Sequence, residues 1–297
     1  MMKIAVIGAG KWGEALFNAF SENNECVITS RTKKNIKNFV NLKQALEAEY
    51  LVFSLSTQIT ASWLKENFIN KNQKILIASK GIDAKSGKFL NEIFEEYTDS
   101  SNLTFLSGPS FASEVMQKLP CAVVVSSKNT ALAATFASFF PSYIKAYWAS
   151  DVVGAEICGA YKNIIAIASG ICDGLNLGNN ARASLIARGL VEMSRFGKFF
   201  GAQDDTFLGL SGAGDLFLTA SSALSRNYRV GFGLAKGKSL DEILSELGEV
   251  AEGVLTSKAV LSLANKHQIY TPIATEVALI MDGKNPKDSM IDLLRKK

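Results

Sequence analysis

The tightest constraint on the fold sits at the start of the chain. The apolar run Ile4-Ala5-Val6-Ile7 leads directly into Gly8-Ala9-Gly10-Lys11-Trp12-Gly13, and an amphipathic stretch from Glu14 to Phe20 follows. A β-prone run, a glycine cluster and a helix-period segment in that order predict a strand, a tight turn and a helix. Gly8 would allow the turn, Gly10 would let backbone N–H groups approach a pyrophosphate, and Gly13 would let helix and strand pack closely. The helix N-terminus would attract the negative charge. In this context the cluster reads as a dinucleotide-binding loop rather than a plain glycine turn.

The same alternation continues downstream. Strands are predicted at 3–7, 26–29, 50–55, 74–79, 103–107 and 121–126. Between them lie segments such as Gln44-Ala45-Leu46-Glu47-Ala48 and Phe89-Leu90-Asn91-Glu92-Ile93-Phe94, apolar at the three- and four-residue spacings of a helix face. Past Asp151 the pattern changes to long stretches rich in Ala, Ile, Leu and Gly over 152–173 and 181–200, and no later segment reads as a strand. At about 150 residues per domain, 297 residues make two domains. The expected architecture is an α/β Rossmann-type domain with a mainly parallel sheet over 1–150, binding the dinucleotide, and an all-α substrate and catalytic domain over 151–297.

Composition removes several classes. A net charge of +4 suits small anionic ligands better than nucleic acid. The apolar runs are short and interrupted, below the ~18 residues of a membrane span. The first residues leave no room for the roughly 7–15-residue apolar region of a secretory leader, so the chain is expected to stay in the cytoplasm. Cys26, Cys121, Cys158 and Cys172 form no CxxC pair and lie in apolar surroundings, which predicts reduced, buried thiols, with neither a disulfide framework nor a metal site.

The end of the second strand bears on the cofactor. An NAD-selective site usually offers a carboxylate ~20 residues after the glycine motif, for the ribose 2′-hydroxyl. Here the chain reads Thr29-Ser30-Arg31-Thr32-Lys33-Lys34, cationic and without a carboxylate. Arg31 could stack on adenine or pair with a 2′-phosphate, so NADPH is the preferred cofactor, with NADH use open.

Four further clusters carry chemistry. Lys80 in Ala78-Ser79-Lys80-Gly81 falls at a strand's C-terminal end, where open α/β sheets bind ligands. In Ser107-Gly108-Pro109-Ser110-Phe111-Ala112, Gly-Pro forces a turn and Ser110 is placed to cap the next helix. In Gly159-Ala160-Tyr161-Lys162-Asn163-Ile164-Ile165, a lysine interrupts a helix that is apolar all round; a buried ammonium there needs partners or a lowered pKa, and suits proton transfer. Ser211-Gly212-Ala213-Gly214-Asp215 and Ser225-Arg226-Asn227 add a carboxylate that could orient a lysine and a pair that could hold a phosphate, although Asp215 alone would pass for a helix cap and Arg226 for a surface charge.

With GAGKWG, ASKG at 78–81, SGPSFA at 107–112, GAYKNIIAIASGICDG at 159–174, NARASLIARGLVEMSR at 180–195, SGAGDL at 211–216, SRN at 225–227 and VAEG at 250–253, nearly the whole chain resembles the bacterial-type NAD(P)-dependent sn-glycerol-3-phosphate dehydrogenases. The resemblance implies reversible reduction of dihydroxyacetone phosphate, supplying glycerol 3-phosphate for phospholipid synthesis, by a homodimer. It makes Lys162 the proton donor and acceptor, with Asp215 and Lys80 beside it. Lys80, Gly108, Ser110, Lys162, Asp215, Ser225, Arg226 and Asn227 would touch the substrate. Lys11, Trp12, Arg31, Lys80, Ala112, Arg226, Val250 and Glu252 would join Gly8, Gly10 and Gly13 on the cofactor. The chain departs from the family at Lys11-Trp12, commonly Ser-Tyr or Ser-Trp, and at Ser110, usually threonine. The nearest rivals are a 3-hydroxyacid or ketopantoate reductase of similar plan and a dinucleotide sensor without turnover. His267, in the polar stretch Asn265-Lys266-His267-Gln268, reads as a loop surface residue and not as a catalytic base.

Overall fold

The computed structural model describes residues 3–248 and 251–295. The chain forms two compact units, one comprising residues up to Ser79 with Leu90–Ala155, the other Lys80–Phe89 with Glu156 onward.

The first unit is built on a seven-stranded sheet of β1 (Lys3–Ile7), β2 (Glu25–Thr29), β3 (Tyr50–Phe53), β4 (Lys74–Ile77), β5 (Leu103–Ser107), β6 (Cys121–Ser126) and β7 (Ile144–Ala149), in the order β2-β1-β3-β4-β5-β6-β7. All pairs are parallel except β5–β6. Helices α1 (Lys11–Ser21), α2 (Leu42–Ala45), α3 (Thr57–Asn67), α4 (Leu90–Glu95), α5 (Ala112–Met116) and α6 (Thr130–Ser138) cover both faces. Successive strand residues serve opposite cores: Ile4 and Val6 pack with Leu16 and Phe20 of α1 and Phe136 of α6. Ala5 and Ile7 pack with Leu64 of α3 and Ile93 and Phe94 of α4. Burial on both faces explains why these strands read as continuous apolar runs. Because β1 lies between β2 and β3, the order in which strands are added reverses at β1. Ligands of doubly wound sheets bind at such a reversal, beyond the strand C-termini.

Within the second unit the described residues form helices and turns. The chain enters it through α7 (Val152–Gly174), and α8 (Gly178–Phe199), α9 (Asp204–Leu208), α10 (Asp215–Ala220), α11 (Arg226–Ala235), α12 (Leu240–Leu247), α13 (Glu252–His267), α14 (Pro272–Met281) and α15 (Pro286–Arg295) follow. Contrary to the expectation from short apolar runs, α7 is long and apolar enough to cross a membrane, with a mean hydropathy of 1.2 over its best window. Since 94% of that window is buried inside the protein, α7 is a core helix. Glu192 of α8 ties the helices together: its buried carboxylate accepts from the Tyr161 hydroxyl at 2.7 Å and from the first-turn amides of α14, Ile273 at 2.8 Å and Ala274 at 2.9 Å. The four cysteines are free, three of them buried and Cys121 partly exposed.

Candidate active site

The glycine loop is shaped by close contacts. Gly8 has φ +108°, and a Cβ there would lie 2.6 Å from the Ser54 carbonyl oxygen; its amide donates to Thr29 O at 2.9 Å. At Gly13 a Cβ would fall 1.9 Å from Gly8 O, so α1 can start against the turn only without a side chain. Gly10 differs, because the space its Cβ would fill is open and it precedes the first turn of α1. An open cradle beside a helix N-terminus fits a pyrophosphate. Lys11 is exposed on this turn, whereas Trp12 and Ala112 are half-buried against the core beneath it. Beyond β2, Arg31 and Lys33 are exposed, and Lys34 folds onto the loop, donating to the Ala9 carbonyl and pairing with Glu14 at 2.5 Å. Lys34, which the sequence marked only as part of a cationic stretch, is therefore a charge built into the loop.

Gly108 also needs a positive φ, +101°, with the backbone of Ala122 and Val123 only 3.1 Å from where a Cβ would sit. Ser110 is not the predicted cap. Helix α5 starts two residues later with Phe111 in the capping position, and the Ser110 hydroxyl donates to Gly108 O at 3.1 Å.

In the second unit three charged side chains converge. Lys162, 7% exposed on α7, donates to one oxygen of Asp215 and, at 3.1 Å, to the Thr219 hydroxyl. Lys80 donates to the other Asp215 oxygen at 2.7 Å. Its stem lies over Gly159, where a Cβ would approach to 3.2 Å, so the glycine one turn before Lys162 makes room for it. Asp215, 1% exposed, opens α10 after a π-helical turn, Leu210–Gly214, with Gly214 as the capping residue and no side-chain cap. Its carboxylate is thus directed at the two ammonium groups, not at the helix end. Burial pushes Lys162 down to about 7, Asp215 opposes the shift and the Lys80 charge adds to it. Burial alone would raise Asp215, but the two lysines outweigh it and keep the carboxyl below its ordinary value. A lysine that changes protonation near neutrality, held by an ionised carboxylate, is equipped to give and take a proton.

Helix α11 starts at Arg226, which is exposed, and Ser225 caps it by accepting from the Tyr228 amide at 3.2 Å. The Asn227 side chain is engaged internally: it donates to Asn163 at 2.9 Å and accepts from the Gly253 amide at 3.0 Å. Glu252 is the first residue of α13, and Val250 lies outside the described residues. Sequence reasoning missed Thr219, although Asp215 and Thr219 are four residues apart on one helix face, the spacing at which side chains meet. His267 is in the last turn of α13, half-buried against the rings of Phe199 at 4.9 Å and Phe200 at 5.8 Å, and not in a loop.

Residues 29–133 match the NAD-dependent glycerol-3-phosphate dehydrogenase N-terminus and residues 151–292 match its C-terminus. The chain belongs to the NAD-dependent glycerol-3-phosphate dehydrogenase family. A glycerol-3-phosphate dehydrogenase [NAD(P)+] of Campylobacter lari is 64% identical over 296 residues, covering 100% of this chain and 99% of the relative. One from Sulfurimonas denitrificans is 58% identical, covering 99% of each. The crystal structure of glycerol-3-phosphate dehydrogenase from Coxiella burnetii superposes with a TM-score of 0.91 at 31% identity, covering 99% of each chain. The protein is therefore an oxidoreductase of this NAD(P)-dependent family, and the Lys80–Asp215–Lys162 cluster lies within the segments that share its architecture.

Proposed function

We propose that the protein catalyses the reversible NAD(P)H-dependent reduction of dihydroxyacetone phosphate to sn-glycerol 3-phosphate, with NADPH preferred. The observation that carries this reading is the buried lysine Lys162, poised near neutrality on an ionised carboxylate. The first unit is the dinucleotide-binding part, through Gly8, Gly10, Gly13, Lys11, Trp12 and Arg31; the second is the substrate and catalytic part. A bound nicotinamide supplies a hydride to the ketone carbon. The carbonyl electron pair then becomes an alkoxide, and Lys162 Nζ donates the proton that neutralises it; in oxidation the neutral amine takes that proton back. Asp215 holds Lys162 in place and Lys80 lies within reach of the same oxygen. The phosphate would be held by the Arg226 guanidinium, with the Ser225 hydroxyl, which accepts in its cap and can still donate its own proton, and the Asn227 side-chain amide, which has a second N–H. Gly108 and Ser110 complete the substrate set. The product is a precursor for phospholipid head groups, and the enzyme works as a cytoplasmic homodimer.

An absorbance assay of NADPH oxidation tests the reading. Turnover is expected with dihydroxyacetone phosphate and not with ketopantoate. NADPH binding with no consumption of either ketone would leave a sensor, and turnover of ketopantoate alone would leave the rival reductase.

A further inference from the structure

Two sequence motifs contain polar residues that the proton-transfer cluster does not use: Asp173 at the end of α7, and Arg182 in the first turns of α8. The structure joins both to α11. The Tyr228 hydroxyl donates to Asp173 Oδ2 at 2.6 Å, and Arg182 Nη1 donates to the same oxygen at 2.7 Å. Arg182 is fixed in turn by Asn179 at 3.1 Å. Tyr228 directly follows Arg226 and Asn227, so it belongs to the helix turn that would hold the phosphate.

That turn is fastened to α7 at two points. Asn227 binds Asn163, the neighbour of Lys162, and Tyr228 binds Asp173, ten residues or about 15 Å further along the helix. Between the two points the backbones touch: a Cβ on Gly231 would fall 1.9 Å from Ile167 O, and one on Gly170 would fall 2.0 Å from Tyr228 O. Past the C-terminal end of α11, Lys236 adds a third tie, donating to Gly174 O at 2.7 Å. The Asn227 and Tyr228 ties are the two in the first turn of α11, and they reach α7 on either side of the glycine contact, so together they fix where the α11 N-terminus lies relative to Lys162.

We propose that Asp173, Arg182 and Tyr228 form a positioning cluster that sets the span between the proton donor on α7 and the phosphate-holding turn of α11, and so selects phosphorylated ketones by the distance between carbonyl and phosphate. The inference rests on the reading of the site given above. None of the three residues is assigned a contact with substrate; they act through α11.

The test is steady-state kinetics of Tyr228→Phe with three ketones: dihydroxyacetone phosphate, unphosphorylated dihydroxyacetone, and erythrulose 4-phosphate, which is one carbon longer between carbonyl and phosphate. The KM for dihydroxyacetone phosphate should rise on the order of tenfold, the scale of one hydrogen bond to a charged group, with kcat within about threefold. The preference over the longer ketone should narrow, and kcat/KM for dihydroxyacetone should stay constant. A merely structural role predicts lower thermal stability with all three ketones affected alike or not at all, and either result overturns the proposal. If Tyr228→Phe does not fold, Arg182→Lys weakens the hold on Asp173 without touching α11; it should shift KM in the same direction, and an unchanged KM overturns the proposal. A wild-type protein inactive on dihydroxyacetone phosphate would overturn the site reading and this inference with it, whereas an active wild type with an unaffected variant overturns the inference alone.

Discussion

Lys162 carries its proton in surroundings that weaken its hold on it, and the proposed proton-transfer role then predicts opposite pH dependence for the two directions of reaction. In that role reduction would need the ammonium, whose population in the free enzyme falls as pH climbs through about 7, so kcat/KM for reduction should decline across that range. Oxidation would need the neutral amine, so its kcat/KM should decline as pH drops through the same value. Lys162→Ala should lose roughly 10²- to 10⁴-fold in kcat while NADPH still binds, and both pH limbs should vanish with it. Full pH–rate profiles in both directions decide this: rates flat between pH 6 and 9 in the wild type would remove Lys162 from the proton-transfer role. The lysine was legible in the sequence because a cation in an all-apolar helix must have a reason. Thr219 was not, because an isolated threonine in Leu216-Phe217-Leu218-Thr219 looks like any helix residue until Asp215 is known to face inward.

At the scale of elements, the six buried strands were legible because two-sided burial writes continuous apolar runs. The seventh, β7, was not: as an edge strand it leaves Tyr147 48% and Trp148 59% exposed, and its pairing with β6 supplies what its composition does not. The π-helical turn before Asp215 was equally hidden, since it depends on Gly212 lying against the Phe207 backbone, where a Cβ would come within 2.2 Å of the carbonyl oxygen. The glycine loop was legible as a motif, but the structure separates the demands on its glycines. Gly13→Ala forces a Cβ into the Gly8 carbonyl and should destabilise the fold by about 1–3 kcal/mol, as overpacking does. Gly10→Ala meets no atom, so its stability loss should stay below about 1 kcal/mol, the capping preference alone. Its cofactor affinity should nevertheless fall tenfold or more, because the new methyl takes space beside the helix N-terminus. Denaturant titration alongside NADPH titration checks the contrast, and a Gly10→Ala protein with wild-type NADPH affinity would show that the cradle is not the phosphate site.

At the scale of the whole molecule, the two-part plan was legible from the change in composition near Asp151, but the side taken by residues 80–89 was not. That choice rests on contacts far apart in sequence, such as Phe89 with Phe200 at 5.2 Å and Lys80 over Gly159. No local period encodes them. Charge is the property that belongs to the chain as a whole. The net +4 is modest, yet Lys11, Arg31 and Arg226 are exposed while Lys80 and Lys162 are drawn inward to Asp215. The exposed cations should attract anionic ligands over a range set by ionic strength, about 30 Å at 0.01 M and about 8 Å at 0.15 M. The inner cluster, packed away from water, is screened far less. Raising salt across that interval should therefore lower kcat/KM for both NADPH and dihydroxyacetone phosphate several-fold through KM and leave kcat nearly constant. Steady-state kinetics over a salt series separates the two effects. A fall in kcat with steady KM would mean that the screened charges are those of the reacting cluster itself, and that Lys162 is more open to solvent than its burial implies.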